Sequence, residues 1–345
     1  MTHSGGFSAD RLGALLSELP LHAPIQPEAI AQALQTLCRA DLDQLPQPGS
    51  GQTLQRWQAL AAVAAHDLSL CKLYEGHTDA LAIMQHFAAN PPPAGSTWGM
   101  WAAEPPQARV KLDAEQSDGS VRLHGRKAWC SGAKVLSHGL LTAWNTRGEQ
   151  QLVAVALQQP GVHITDQGWQ AIGMHATQSV EVLFEQARGW LVGPAGGYLQ
   201  RPGFWQGGAG IAACWYGSAQ TIGEALRRHC TRHDEPHALA HLGEVDSTLL
   251  AAASALHDCA RWIDENPQAN AELPVRRIRA LCESSAETVI RHVGRALGAA
   301  PYCRDAALAR HLADLPVFLR QSHGERDLAA LGSLTARQQQ GSWML

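Results

Sequence analysis

The sequence predicts a multi-domain α+β protein: an N-terminal helical domain, a central antiparallel β-domain and a C-terminal antiparallel four-helix bundle. Three observations predict it. Apolar residues recur at three- and four-residue spacing up to about residue 90; short alternating segments fill roughly 97–195; longer helical runs return from about Gly207. The boundaries drawn are 1–92, 93–195 and 196–345, and a chain of 345 residues is long for a single core.

Each element has its own signal. Ser8 is an N-cap for the run "SADRLGALLSEL". The Ala- and Leu-rich stretch 53–88 is expected to be helical with a break near Gly76. Asn90-Pro91-Pro92-Pro93 punctuates the change of pattern. "ARVKLDA" and "VRLHGRK" flank Ser117-Asp118-Gly119-Ser120, a hairpin turn. "HGLLTAWNT", "QLVAVALQ", "GVHITD" and "SVEVLFEQ" follow as short strands with no helix between them, which points to an antiparallel sheet or small barrel. Four helical runs then cover 207–233, 241–266, 274–298 and 303–334, the third with Pro274 at its start and the last interrupted at Pro316 and near Gly324. Short connections between them predict the antiparallel bundle.

Composition excludes some functions. Lys and Arg number 27 against 31 Asp and Glu, a net charge of −4, with no concentrated basic face for nucleic acid. No run reaches membrane-spanning length. The eight Cys are scattered without a C-x-x-C pair, and the N-terminus carries no apolar signal region, so free thiols in a cytoplasmic protein are expected. His233, His237 and His241 share helical spacing, but Asp234-Glu235-Pro236 interrupts it and no metal site is expected. Trp is over-used, 11 against 5 Phe and 4 Tyr. One of them sits in Trp129-Cys130-Ser131, where a structural strand would use Val or Ile and a flat ring ligand would suit the residues present.

Helices, then a β-domain, then a four-helix bundle is the order of the acyl-CoA dehydrogenase superfamily, and five stretches resemble that family in order. They are "GMWAAEPPQARV", "LHGRKAWCSGA", "AIGMHATQSVEVLFEQARGWLVG", "AACWYGSAQTIGEAL" and "GRALGAAPYCRDAALARHLAD". The resemblance implies an FAD cofactor and a homodimer or homotetramer. It also implies α,β-dehydrogenation of an acyl-CoA or other acyl thioester, with hydride transfer to flavin N5 and an electron-transfer flavoprotein as possible acceptor. It implies that Trp129 packs on the isoalloxazine, that Ser131 hydrogen-bonds near its reactive edge, and that Trp101, Ala102 and Ala103 face the ring. An indole wall of this kind stands in a slot and does not simply face water.

The chain departs from the family pattern where the chemistry is made. Ala103 replaces the usual Thr. Neither position for the catalytic carboxylate holds one: His323-Gly324 and Gly207-Gly208 stand there. His323, a competent base near neutral pH, and Glu325 are the catalytic candidates. Arg232 or His233 would have to contact the cofactor's tail, and Arg295 with Gly298 replaces the family's Gln and Gly. These departures leave two further readings open: a flavin-dependent monooxygenase or oxidase on the same scaffold, and a catalytically inactive flavin-binding or assembly homologue.

Overall fold

The structure is a computed structural model, and it describes residues 7–19, 21, 25–338 and 343. The chain falls into two compact units, one formed by residues up to 45 with 69–204, the other by 46–68 with 205 onwards.

The first unit contains α1 (Ala9–Glu18), α2 (Pro27–Arg39), α4 (Leu68–His86) and all the strands, while α3 (Thr53–His66) groups with the second. Ser8 caps α1 as expected, its side chain accepting from Arg11 N–H at 3.3 Å. Gly76 does not break α4. The helix runs through it, and the missing side chain lets the backbone of Met100 approach, 3.4 Å from where a Cβ would stand. The interruption falls at Asp67, between α3 and α4.

Seven strands follow: β1 (Trp98–Trp101), β2 (Val110–Leu112), β3 (Ser120–Cys130), β4 (His138–Trp144), β5 (Gln150–Ala156), β6 (Val162–Ile164) and β7 (Val180–Val192). Five close on themselves: β4 pairs β2, β2 pairs β3, β3 pairs β7, β7 pairs β5, and β5 returns to β4, with β1 and β6 added outside. The expectation of a purely antiparallel domain is corrected here, since β2–β4 and β1–β4 are parallel. The reason is topological. A ring with an odd number of strands cannot alternate direction throughout, so at least one neighbouring pair must be parallel. The closing pair, Lys111 with Trp144, is that one. The barrel interior is aliphatic, with Val110, Leu123, Leu141, Val153, Val182 and Ala187 buried. On its outside Ala80, Ile83 and Met84 of α4 pack against Trp98, Leu140, Leu152 and Val192.

After the short α5 (Gly197–Gln200), the second unit contains α3 with α6 (Gly203–Cys230), α7 (Pro236–Glu265), α8 (Glu272–Leu297), α9 (Ala300–Arg304), α10 (Ala306–Leu319) and α11 (Glu325–Ala336). The fourth expected bundle helix is thus three pieces. Pro316 is accommodated inside α10, at the cost of one backbone hydrogen bond, and the chain instead turns at Gly324, which has φ +52°. Helices α3 and α6 meet backbone to backbone: a Cβ on Gly217 would lie 2.2 Å from the carbonyl oxygen of Ala61. Asp264 of α7 accepts from Thr53 N–H and Oγ1 and from Gly51 N–H, capping α3 from another helix.

Between α6 and α10, Ser218 Oγ and His311 Nδ1 are 2.8 Å apart and both side chains are buried. Burial, with Arg310 nearby, pulls the His311 imidazole down from 6.5 to about 4. Its native state therefore resists protonation. Its neutral form carries no penalty above pH 6.5, and stability is lost as pH falls from 6.5 towards 4. Urea melts of wild type and His311→Gln across that window are expected to converge towards acid, the wild type losing roughly 3 kcal/mol more; parallel profiles would contradict the burial argument.

Candidate functional site

In the barrel unit one buried lysine organises the surface read as ring-facing. Lys127, on β3, has no exposed surface. Its Nζ donates to Thr142 O and Oγ1, both at 2.7 Å, and to Glu104 Oε1 at 3.4 Å, so all three N–H bonds are used. Glu104 is held in turn by Thr142 Oγ1 at 2.7 Å, Trp144 Nε1 at 3.1 Å and Gln150 Nε2 at 3.4 Å. Burial brings the Lys127 ammonium down from 10.5 to about 8, against the pull of Glu104. The segment leaving β1 is thereby tied to β3, β4 and the start of β5. Along it, the backbone N–H groups of Ala103 and Glu104 take no partner among the described residues, and both residues are half-buried.

Beside this segment β3 carries a bulge. From Lys127 to Cys130 it advances three residues while β7 advances two, Val182 to Val180. The extra residue leaves Trp129 at φ +55°, a conformation unusual for a bulky side chain and costly by about 1–3 kcal/mol. Trp129 is 51% exposed, so it is not a core residue, and among the described residues no slot encloses it as the sequence reading expected. Trp101, in contrast, is buried. Its ring occupies the space left by Gly99 and Gly139, where a Cβ would come within 2.6 Å, and its Nε1 donates to Ser131 O at 3.1 Å. Trp101 therefore braces the turn after β3 against β1. Ala102 is half-buried, its carbonyl 3.5 Å from Thr142 Oγ1. Ser131 is buried, and its Oγ lies 2.7 Å from Ser179 Oγ, which lies 2.9 Å from Thr177 Oγ1. Trp101, Ala102, Ala103, Trp129 and Ser131 thus share one unit, together with Glu104, Lys127, Thr142, Thr177 and Ser179, to which sequence reasoning gave no role.

The remaining candidates lie in the helical unit. His323 is exposed in the turn before α11; its backbone N–H donates to Asp327 Oδ2 at 2.9 Å, and its ring Nδ1 is 3.7 Å from the same oxygen. Burial works to raise the Asp327 carboxyl, but the His323 N–H and Arg276, at 3.1 Å, outweigh it and hold the group below the usual range. Glu325 is exposed in the first turn of α11. Arg232 is exposed in the connection from α6 to α7, Arg295 is exposed in the last turn of α8, and Gly298 caps that helix at φ +63°. The rings of His233 and His229 lie 4.6 Å apart, tilted by 31°, and His241 Nδ1 lies 3.0 Å from His292 Nδ1.

Among the described residues one trio has the composition of a metal site: Cys38, Asp43 and His77, in the barrel unit. Trp98 N–H donates to His77 Nδ1 at 3.2 Å, which places the imidazole proton on Nε2. That proton faces Asp43 Oδ2 at 3.1 Å and Cys38 Sγ at 3.4 Å, so the lone pair a metal needs is occupied. Burial and the Asp43 charge push the Cys38 thiol up to about 12. The trio is a hydrogen-bond junction joining α2, α4 and β1.

No family profile matches the chain, and no curated protein matches it in sequence. Solved structures match its fold over nearly their whole length. KijD3, in complex with FMN and an amino-keto dTDP-sugar, is 19% identical with a TM-score of 0.77, covering 95% of this chain and 92% of its own. FMN-bound TdsC of Paenibacillus sp. A11-2, a dibenzothiophene monooxygenase, is 18% identical with a TM-score of 0.77, covering 94% and 96%. Methanesulfinate monooxygenase MsuC of Pseudomonas fluorescens is 17% identical with a TM-score of 0.72, covering 94% and 95%. These likenesses establish a shared fold.

The Lys127 arrangement makes stability depend on pH. Below about pH 8 both native and unfolded states are protonated and the cost of burial is present in full; between 8 and 10.5 the unfolded chain keeps a proton the native state has shed. The stability of wild type relative to Lys127→Met is therefore expected to rise with pH through that window, by roughly 3 kcal/mol. A pH-independent difference in denaturation midpoints would contradict the assignment.

Proposed function

We propose that this protein is a flavin-dependent monooxygenase that takes reduced FMN, with the isoalloxazine stacked on Trp129. One observation carries the reading: a half-exposed indole held at positive φ by a bulge, on the strand whose Lys127 pins a segment with two unpartnered backbone N–H groups. A planar ring on Trp129 would cover its open face, and ring carbonyl oxygens would satisfy Ala103 and Glu104. The residues present therefore fit the group. When bound, reduced FMN supplies two electrons with which O₂ delivers one oxygen atom to a substrate and the other to water, leaving the flavin oxidised.

Two features favour oxygen chemistry over dehydrogenation. Acyl thioester oxidation needs a carboxylate to remove the α-proton, and His323-Gly324 and Gly207-Gly208 occupy both usual positions. Structures sharing the fold also hold FMN and include enzymes named as monooxygenases. In this reading FMN replaces the FAD expected from the sequence, and a flavin reductase replaces the electron-transfer flavoprotein.

Anaerobic titration with reduced FMN tests the reading. Trp129→Ala is expected to raise Kd about 10-fold or more, from the loss of one stacking face. Unchanged affinity in that variant removes Trp129 from the site. Bleaching of a flavin-loaded sample by an acyl-CoA without O₂ would instead return the assignment to dehydrogenation.

A further inference from the structure

We infer that the site distinguishes the redox states of its flavin through the direction of a buried hydroxyl chain, Ser131–Ser179–Thr177–Met174, and holds the reduced form more tightly. The inference rests on the flavin reading above and adds to it which state is retained and which residues select it.

The direction follows from counting protons. Thr177 Oγ1 lies 2.7 Å from Met174 O. A carbonyl oxygen can only accept, so at that distance the Thr177 hydroxyl proton lies between them. Thr177 has no second hydroxyl proton, so at its 2.9 Å contact with Ser179 it must accept, and Ser179 donates. Ser179 has then spent its proton, and at 2.7 Å Ser131 must donate to it. Ser131 Oγ is left with free lone pairs and no spare proton. Its own backbone is also engaged, N–H on Trp129 O at 3.0 Å and C=O on Trp101 Nε1 at 3.1 Å.

Ser131 therefore offers the ring an acceptor. A reduced flavin carries N5–H, a donor, and matches it. An oxidised flavin has a bare N5 lone pair, which would face another lone pair. The chain thus favours arrival of reduced flavin and departure of oxidised flavin, as a protein fed by a separate reductase requires. Nothing in the chain needs to move for this; the direction is set at Met174, the far end from the ring.

The test measures binding, not turnover. Wild type, Thr177→Val, Thr177→Ser and Ser179→Ala are titrated anaerobically with oxidised FMN and with dithionite-reduced FMN. Wild type is expected to bind the reduced form about 10-fold more tightly, the worth of one matched hydrogen bond against one mismatch. Thr177→Val lets Ser179 turn its proton to Ser131, and Ser179→Ala removes the acceptor for Ser131. Both free the Ser131 proton, and both are expected to lower the oxidised-to-reduced Kd ratio about 10-fold, equivalent to lowering the bound flavin's midpoint potential by about 30 mV. Thr177→Ser keeps the direction and should keep the wild-type ratio. The two lesions differ, so a fold defect in one leaves the other to decide. Variants that bind FMN with the wild-type ratio, or a wild type with no preference, overturn the inference while the flavin reading stands. A wild type that binds neither form overturns both.

Discussion

The candidate site depends on a buried ion pair. Lys127 has been taken out of water altogether and Glu104 for the most part, which is unfavourable unless their remaining hydrogen bonds are met. Here they are: the ammonium spends all three protons, and the carboxylate collects donors from Thr142, Trp144 and Gln150 as well. An apolar pair of similar volume would pack with less desolvation cost. What the ionic arrangement adds is a single geometry. It fixes residues 101–104 against β3 and β4, so that two backbone N–H groups stay unspent at a set place.

Trp129 is the complementary feature. The bulge inserts one residue between Lys127 and Cys130, and the left-handed backbone at Trp129 is strain held in place by its surroundings. Cys130 on one side is fully buried, and Gly132 N–H is held by Thr177 O at 2.7 Å on the other. Pinned at both ends, the turn keeps the indole half out of the core. Barrel closure serves the same end, since β7 brings Ser179 and Thr177 to the turn after β3 and β4 brings Thr142 to Lys127.

Elements with a local signal were legible in the sequence. Period-two and period-three-to-four patterns marked the strands and long helices, and Ser8 and the Asp118-Gly119 turn marked their edges. What failed was non-local. The parallel β2–β4 closure follows from how many strands join the ring, which no single segment encodes. Gly76 and Pro316 looked like breaks because each weakens an isolated helix, and packing around α4 and α10 overrode that. Within the candidate site, Trp129 and Ser131 were singled out through residue type and resemblance, and the structure places both at the end of β3. Lys127 and Glu104 were passed over because charged residues are ordinarily solvated, and only the folded barrel brings them together. Ser131, Ser179 and Thr177 span 48 residues of chain, and the direction of their protons depends on one carbonyl at Met174.

The most direct measurement is a crystal structure of the protein with FMN. The isoalloxazine is expected against the indole of Trp129, with carbonyl oxygens on the N–H groups of Ala103 and Glu104 and its N5 edge at Ser131. An FMN seated elsewhere, or a Trp129 that remains half exposed with flavin bound, would contradict it.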